Sequence, residues 1–141
     1  MEWQGNTINK CLLKKINRYW KECNYRSLYE NLKEKEYDYT IEKFDRDFCK
    51  ISSMNKFCYL IYLLSKDYSV KNVILVCNFL TFTDTFFYDI HVVIKMIMLQ
   101  ALNAFPRDKM LLEWIISIYE GHPDSPFSKS EIDLYKKQCI N

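Results

Sequence analysis

Two histidines and six cysteines are the side chains of this 141-residue sequence best suited to nucleophilic or metal chemistry, and neither set is spaced for it. Asp89 and His91 are two positions apart, which puts them on different faces of a helix rather than in mutual contact. His122 lies in a Gly-His-Pro loop where exposure is expected, and sequence assigns it no acidic partner. A cysteine–histidine pair can be assembled only in space, because no local motif singles out one thiol. Structural zinc sites draw on closely spaced ligand pairs. The closest cysteines, Cys49 and Cys58, are nine apart, and the histidines are 31 apart. Phosphate cradles need glycine-rich loops whose amides a ligand can approach. Gly5 and Gly121 are the only glycines, so no such loop can be written. No catalytic, cofactor-binding or metal-binding residue is therefore assigned, no cofactor is expected, and a binding module is favoured over an enzyme.

Two other features are suited to recognition. Lys10, Lys14, Arg18 and Lys21 recur at helical spacing and form a basic face, with Lys15 and Arg26 nearby. Such a face can meet nucleic-acid phosphates, an acidic membrane surface or an acidic protein. Its plainer role is solvation, and the acidic run from Glu30 to Asp47 can neutralise its field. Tyrosines are the second feature. Tyr25, Tyr29, Tyr37 and Tyr39 lie in the most charged region, where surface positions and partner contacts are expected. Trp20 and Phe44 read as core.

The composition bounds what can carry these residues. The chain has the length of one domain, is 49% hydrophobic and 16% aromatic, and has ample material for a core. No glycine or proline falls between residues 6 and 105. Tight hairpins lean on glycine-containing turns, so an all-β fold is disfavoured. Twenty basic against 18 acidic residues leave a net charge of +2, too balanced for a whole-protein nucleic-acid footprint. The cysteines mostly fall where a helix places a small apolar residue. With no signal-peptide pattern at Met1–Gly5, a reducing compartment, cytosol or nucleus, is expected. The apolar stretch 73–105 is interrupted by Asn78, Asp84, Asp89, His91, Lys95, Gln100 and Asn103, so no membrane span is expected.

Periodicity predicts the elements. A helix over 7–23 carries the stripe Ile8, Leu12, Ile16, Trp20 and Cys23 opposite its basic face. A shorter helix follows over 25–35, then a polar turn at 36–39. Thr40 caps a third helix with the stripe Ile41, Phe44, Phe48 and Ile51, and Ser52 or Ser53 caps a fourth over 54–65. Residues 70–82 are as strand-like as helix-like, but no neighbouring segment offers a strand partner, so helix is favoured. Thr83 or Asp84 is the expected cap of a long helix ending near Ala104, before Pro106. A seventh helix is predicted over 107–120, with Gly121 as its C′ residue. After a loop at 121–127, Ser128 and Glu131 form a capping box for a last helix over 129–138, a candidate lid or docking element. The expected architecture is all-α: six to eight short helices in a compact bundle over 1–141, with a flexible start at 1–6. Stacked helical hairpins are the alternative.

Two segments resemble Bcl-2-like apoptosis regulators. Val76-Cys77-Asn78-Phe79-Leu80-Thr81-Phe82 is similar to that family's central helix, and Leu111-Leu112-Glu113-Trp114-Ile115, followed by Gly121, to its late Trp-Ile-then-Gly motif. The family's Asn-Trp-Gly-Arg groove motif is absent, with Val70-Lys71-Asn72-Val73 in its place. The resemblance implies a bundle that grips a partner's amphipathic helix, floored by 70–82, and so regulates cell death. The missing arginine puts the usual ion pair with the ligand helix in doubt. The abundance of Lys, Asn, Ile and Tyr suits an AT-rich viral genome. The expected function is thus a protein–protein interaction module. The alternatives are a nucleic-acid binder using the basic face, or a general helical adaptor, and a homodimer remains open.

Overall fold

The computed structural model describes residues 10–82 and 88–140. Among them are eight α-helices and no strand: α1 (Lys10–Lys21), α2 (Tyr25–Glu34), α3 (Ile41–Asp47), α4 (Ser53–Lys66), α5 (Val70–Phe82), α6 (Ile90–Ala104), α7 (Lys109–Tyr119) and α8 (Lys129–Ile140). The expected flexible start, the helix start at Thr7 with Ile8, and the cap at Thr83 or Asp84 lie outside the described residues.

Side-chain caps set most of the helix starts. The oxygens of Asn24, Thr40, Ser52, Ser69 and Asp108 each accept the backbone N–H three residues on, at 3.1–3.3 Å. Each satisfies a donor the helix itself leaves unpaired. The capping box at the start of α8 is formed in both directions. Glu131 N–H donates to Ser128 Oγ at 3.2 Å, and Ser128 N–H donates to Glu131 Oε1 at 3.0 Å. Gly121 has φ +74°, the left-handed conformation expected just past α7.

One start differs from expectation. Tyr88 and Asp89 form a turn, so α6 begins at Ile90, later than the sequence pattern predicts. Tyr88 is fully exposed, so burial does not draw it into the helix, and Asp89 sits at the N-cap without a side-chain cap bond.

The chain divides into two units, 1–68 and 69–141. In the first, α1 packs on α2 and α2 on α4. Its buried residues include Ile16, Trp20, Leu28, Leu32, Phe44, Phe48 and Tyr59. In the second, α5 packs on α6 and α7, α6 on α7, and α7 on α8. The ambiguous segment 70–82 is helical throughout. Val73, Leu75, Val76, Cys77, Phe79 and Leu80 are all buried there, which a helix with neighbours on several sides requires. In α8, Ile132 and Tyr135 are buried. Lys95 of α6 donates to Pro126 O at 2.9 Å and to Glu131 Oε1 at 3.0 Å, fastening the start of α8. The Ser128 amide and the Lys95 ammonium hold the Glu131 carboxyl below its ordinary range.

Candidate functional site

The four tyrosines expected at the surface are largely drawn inward. Tyr37 is only 8% exposed, and Tyr25, Tyr29 and Tyr39 are half-buried. For Tyr25, Tyr37 and Tyr39 the reason is a set of inward polar partners that charge density in the sequence does not reveal, while Tyr29 packs edge to face on Tyr62. Tyr37 OH donates to Asp47 Oδ2 at 2.9 Å, and that carboxylate, itself buried, also meets Lys43 Nζ at 3.2 Å. The Tyr39 and Tyr59 hydroxyls share a hydrogen bond at 2.5 Å. Tyr25 OH donates to Asn55 Oδ1 at 2.6 Å, while Asn55 Nδ2 donates to Trp20 O at 2.9 Å. A phenol whose hydroxyl is satisfied inside is anchoring the fold, so Tyr37 is not available as a surface contact.

The basic face is placed as its spacing predicts. Lys10, Lys14, Arg18 and Lys21 are all exposed, opposite Ile16 and Trp20. None of the four forms a salt bridge with a described residue. Arg26, nearby, pairs with Glu30 at 3.3 Å.

The second unit holds two arrangements that the sequence did not disclose. Val92, Met96 and Leu99 of α6 are 51%, 67% and 41% exposed, a run at i, i+4 and i+7 that puts apolar side chains along one outward stripe. In α5, the helix expected to floor a groove, most apolar residues are buried, while Phe82 at its end is exposed. Met54, Ile61, Met110, Leu134 and Ile140 are exposed on other helices, and α6 is the helix that sets three such side chains along one face.

The other arrangement joins the two histidines. The packing of α6 on α7 brings His91, in the first turn of α6, to Tyr119 at the end of α7 and to His122 just beyond it. The ring centroids of His91 and His122 are 5.0 Å apart. His91 Nδ1 lies 3.0 Å from the Tyr119 hydroxyl, and the two rings meet edge to face. Burial pushes the Tyr119 phenol well above its ordinary range, so it stays a neutral hydroxyl. His122 is half-buried rather than exposed, and its Nδ1 accepts the Asp124 N–H at 3.0 Å. Ligand atoms of His91, His122 and Asp124 all lie within 4.8 Å of one another. Asp89, His91, Asp124 and Ser125 also line an open pocket of about 530 Å³. Asp124, two residues further along the loop, thus meets His122 through its backbone amide, and its carboxylate lies near both imidazoles without a hydrogen bond to either.

The cysteines carry free thiols, but they do not behave mainly as small core residues. Cys77 is buried and Cys139 half-buried, while Cys11, Cys23, Cys49 and Cys58 are exposed. Burial raises the Cys77 thiol's pKa, which keeps it protonated and unreactive. No helix among the described residues is long and apolar enough to cross a membrane.

The chain matches no protein-family model, no curated protein and no solved structure.

Proposed function

We propose that this chain is a non-enzymatic interaction module that holds an amphipathic helix of a partner protein against the outer face of α6. The observation that carries this reading is the exposed stripe of Val92, Met96 and Leu99. Apolar side chains at this spacing are what a helix presents to the apolar face of another helix. Methionine suits such a surface because its unbranched, polarisable side chain adapts to the partner. Contiguous apolar surface left in water usually marks a site of association.

A Bcl-2-like regulator of host cell death, encoded by a virus, is the narrower form of this proposal. It rests on the resemblance of residues 76–82 and 111–115. Their packing is consistent with it: α5 lies on α7, and Trp114 Nε1 donates to Asn78 Oδ1 at 2.7 Å.

The test is a tagged pull-down read by mass spectrometry, beside titration of a labelled helical death-motif peptide followed by fluorescence anisotropy. Met96→Glu removes a central apolar anchor without touching the core. It is expected to weaken partner or peptide binding by at least about tenfold, in the range typical of an interface anchor, with the helical circular dichroism unchanged. Binding that is indifferent to Met96→Glu sinks the α6 reading. Loss of the peptide alone, with a different helical partner retained, sinks the apoptotic form.

A second reading is favoured by one observation: four exposed cations of α1 without a salt bridge to a described residue. If that face binds nucleic acid, log K should fall with log salt at a slope of about −0.9 per phosphate neutralised. Changing Lys10, Lys14, Arg18 and Lys21 to glutamate should then abolish binding to a duplex DNA probe in a mobility-shift assay. Absence of a shift with the parent chain at low salt excludes this reading.

A further inference from the structure

We propose that His91, His122 and Asp124 bind a divalent zinc-class cation, and that loading it rearranges the loop after α7. This goes beyond the interaction reading and does not depend on it. Two imidazoles and one carboxylate form a borderline N/O donor set of the kind zinc accepts. Three protein ligands leave at least one position for water or another small oxygen donor. The pocket beside them is open to supply it.

The rings are already partly arranged. Tyr119 is a positioning residue for His91. Its contact to Nδ1 leaves Nε2 as the nitrogen for a metal, provided Nδ1 carries the proton and donates it to the Tyr119 oxygen. A neutral, buried phenol can accept that hydrogen bond. Metal-bound histidines usually have their second nitrogen fixed in this way.

His122 is the part that must change. Its Nδ1 accepts the Asp124 amide, so in the neutral ring the proton sits on Nε2. If a cation binds at Nδ1, it displaces that amide directly. If it binds at Nε2, the proton moves to Nδ1, which can then no longer accept. Either way the hydrogen bond between Asp124 N–H and His122 Nδ1 is lost. The distances call for movement too. Zinc bonds of about 2.0–2.2 Å place tetrahedral ligands about 3.4 Å apart. The present spread of up to 4.8 Å must therefore close by roughly 1–1.5 Å. Asp124 is exposed, and its side chain is free to make up much of this. The cation would tie the loop at 121–127 to the first turn of α6.

The experiment uses the full chain, stripped of metal with a chelator and kept reduced. It is titrated with zinc chloride by calorimetry and followed by amide NMR. One equivalent is expected to bind with a Kd of about 10 μM or tighter, and the Asp124 amide signal is expected to shift in step with saturation. Asp124→Ala alters only an exposed side chain and should weaken that equivalent by at least about tenfold. The double variant His91→Ala, His122→Ala should remove it. Uptake unchanged in both variants would assign the zinc to the exposed cysteines and overturn the proposal. So would no uptake by the parent at about 100 μM zinc.

Discussion

Raising the pH from 10 to 12 is expected to unfold the first unit. Helical circular dichroism should be lost in the same transition that exposes its buried tyrosines to ionisation. Tyr37, Tyr39 and Tyr59 are responsible. Burial first pushes each phenol far above its ordinary value of 10. The Asp47 carboxylate beside Tyr37 and the Tyr39 hydroxyl beside Tyr59 add to this. The shared hydrogen bond pulls Tyr39 back only in part. Below pH 10 neither the folded nor the unfolded phenols ionise, and their contribution to stability is fully present. Above it the unfolded chain releases protons that the folded chain retains, so the unfolded state gains. Each phenol then removes about 1.4 kcal/mol per pH unit. Three together remove about 4 kcal/mol at pH 11 and about 8 kcal/mol at pH 12, against a typical total of about 5–15 kcal/mol. The double variant Tyr39→Phe, Tyr59→Phe removes two of these groups and one shared hydrogen bond. Its loss of stability per pH unit should be correspondingly shallower. Equal slopes in parent and variant, measured by denaturant unfolding at several alkaline pH values, would contradict the buried network.

The same tyrosines mark where sequence reading reaches its limit. The α1 basic face was legible because one 3.6-residue period fixes both sides of a helix at once. With Ile16 and Trp20 inside, Lys14, Arg18 and Lys21 must be outside. The helix starts at Thr40, Ser52 and Ser128 were legible for a similar reason, since a cap is a contact three residues long. Tyr37 and Tyr39 carry no such local signal. Whether a tyrosine beside charged residues faces water depends on whether an acceptor waits inside, and Asp47 and Tyr59 are supplied by α3 and α4. The histidine cluster was hidden more deeply. His91 and His122 are joined by the packing of α6 on α7, and motif spacing records ligand pairs within one turn or loop. The only local trace was the His122-Pro123-Asp124 tripeptide in a turn, which is legible once His91 is known to lie opposite.

Trp20→Ala is expected to cost about 3–5 kcal/mol, the usual range for removing a buried aromatic side chain, and to leave the first unit at or past its threshold for folding. The indole is fully buried among Phe44, Phe48 and Tyr59, with ring centroids 5.1–6.3 Å away. Alanine would leave a cavity bounded by three other rings, which cannot collapse together without giving up the stacking of Phe44 on Tyr59 and the edge-to-face contact of Phe44 with Phe48. Trp20→Phe should behave differently. The Trp20 Nε1–H is buried without a hydrogen-bond partner among the described residues, a defect that costs about 1–3 kcal/mol. Phenylalanine removes that donor while keeping most of the ring contacts, so the lost volume and the relieved donor offset each other to within about 1–2 kcal/mol. The Trp20 carbonyl keeps its bond from Asn55 Nδ2 in either variant, so the link from α1 to α4 survives and the comparison isolates the side chain. Urea unfolding of the three chains decides the matter. A large loss for alanine with a small one for phenylalanine is expected. Equal losses for both would mean that the indole nitrogen is satisfied in solution and that the ring is held by polarity rather than by packing.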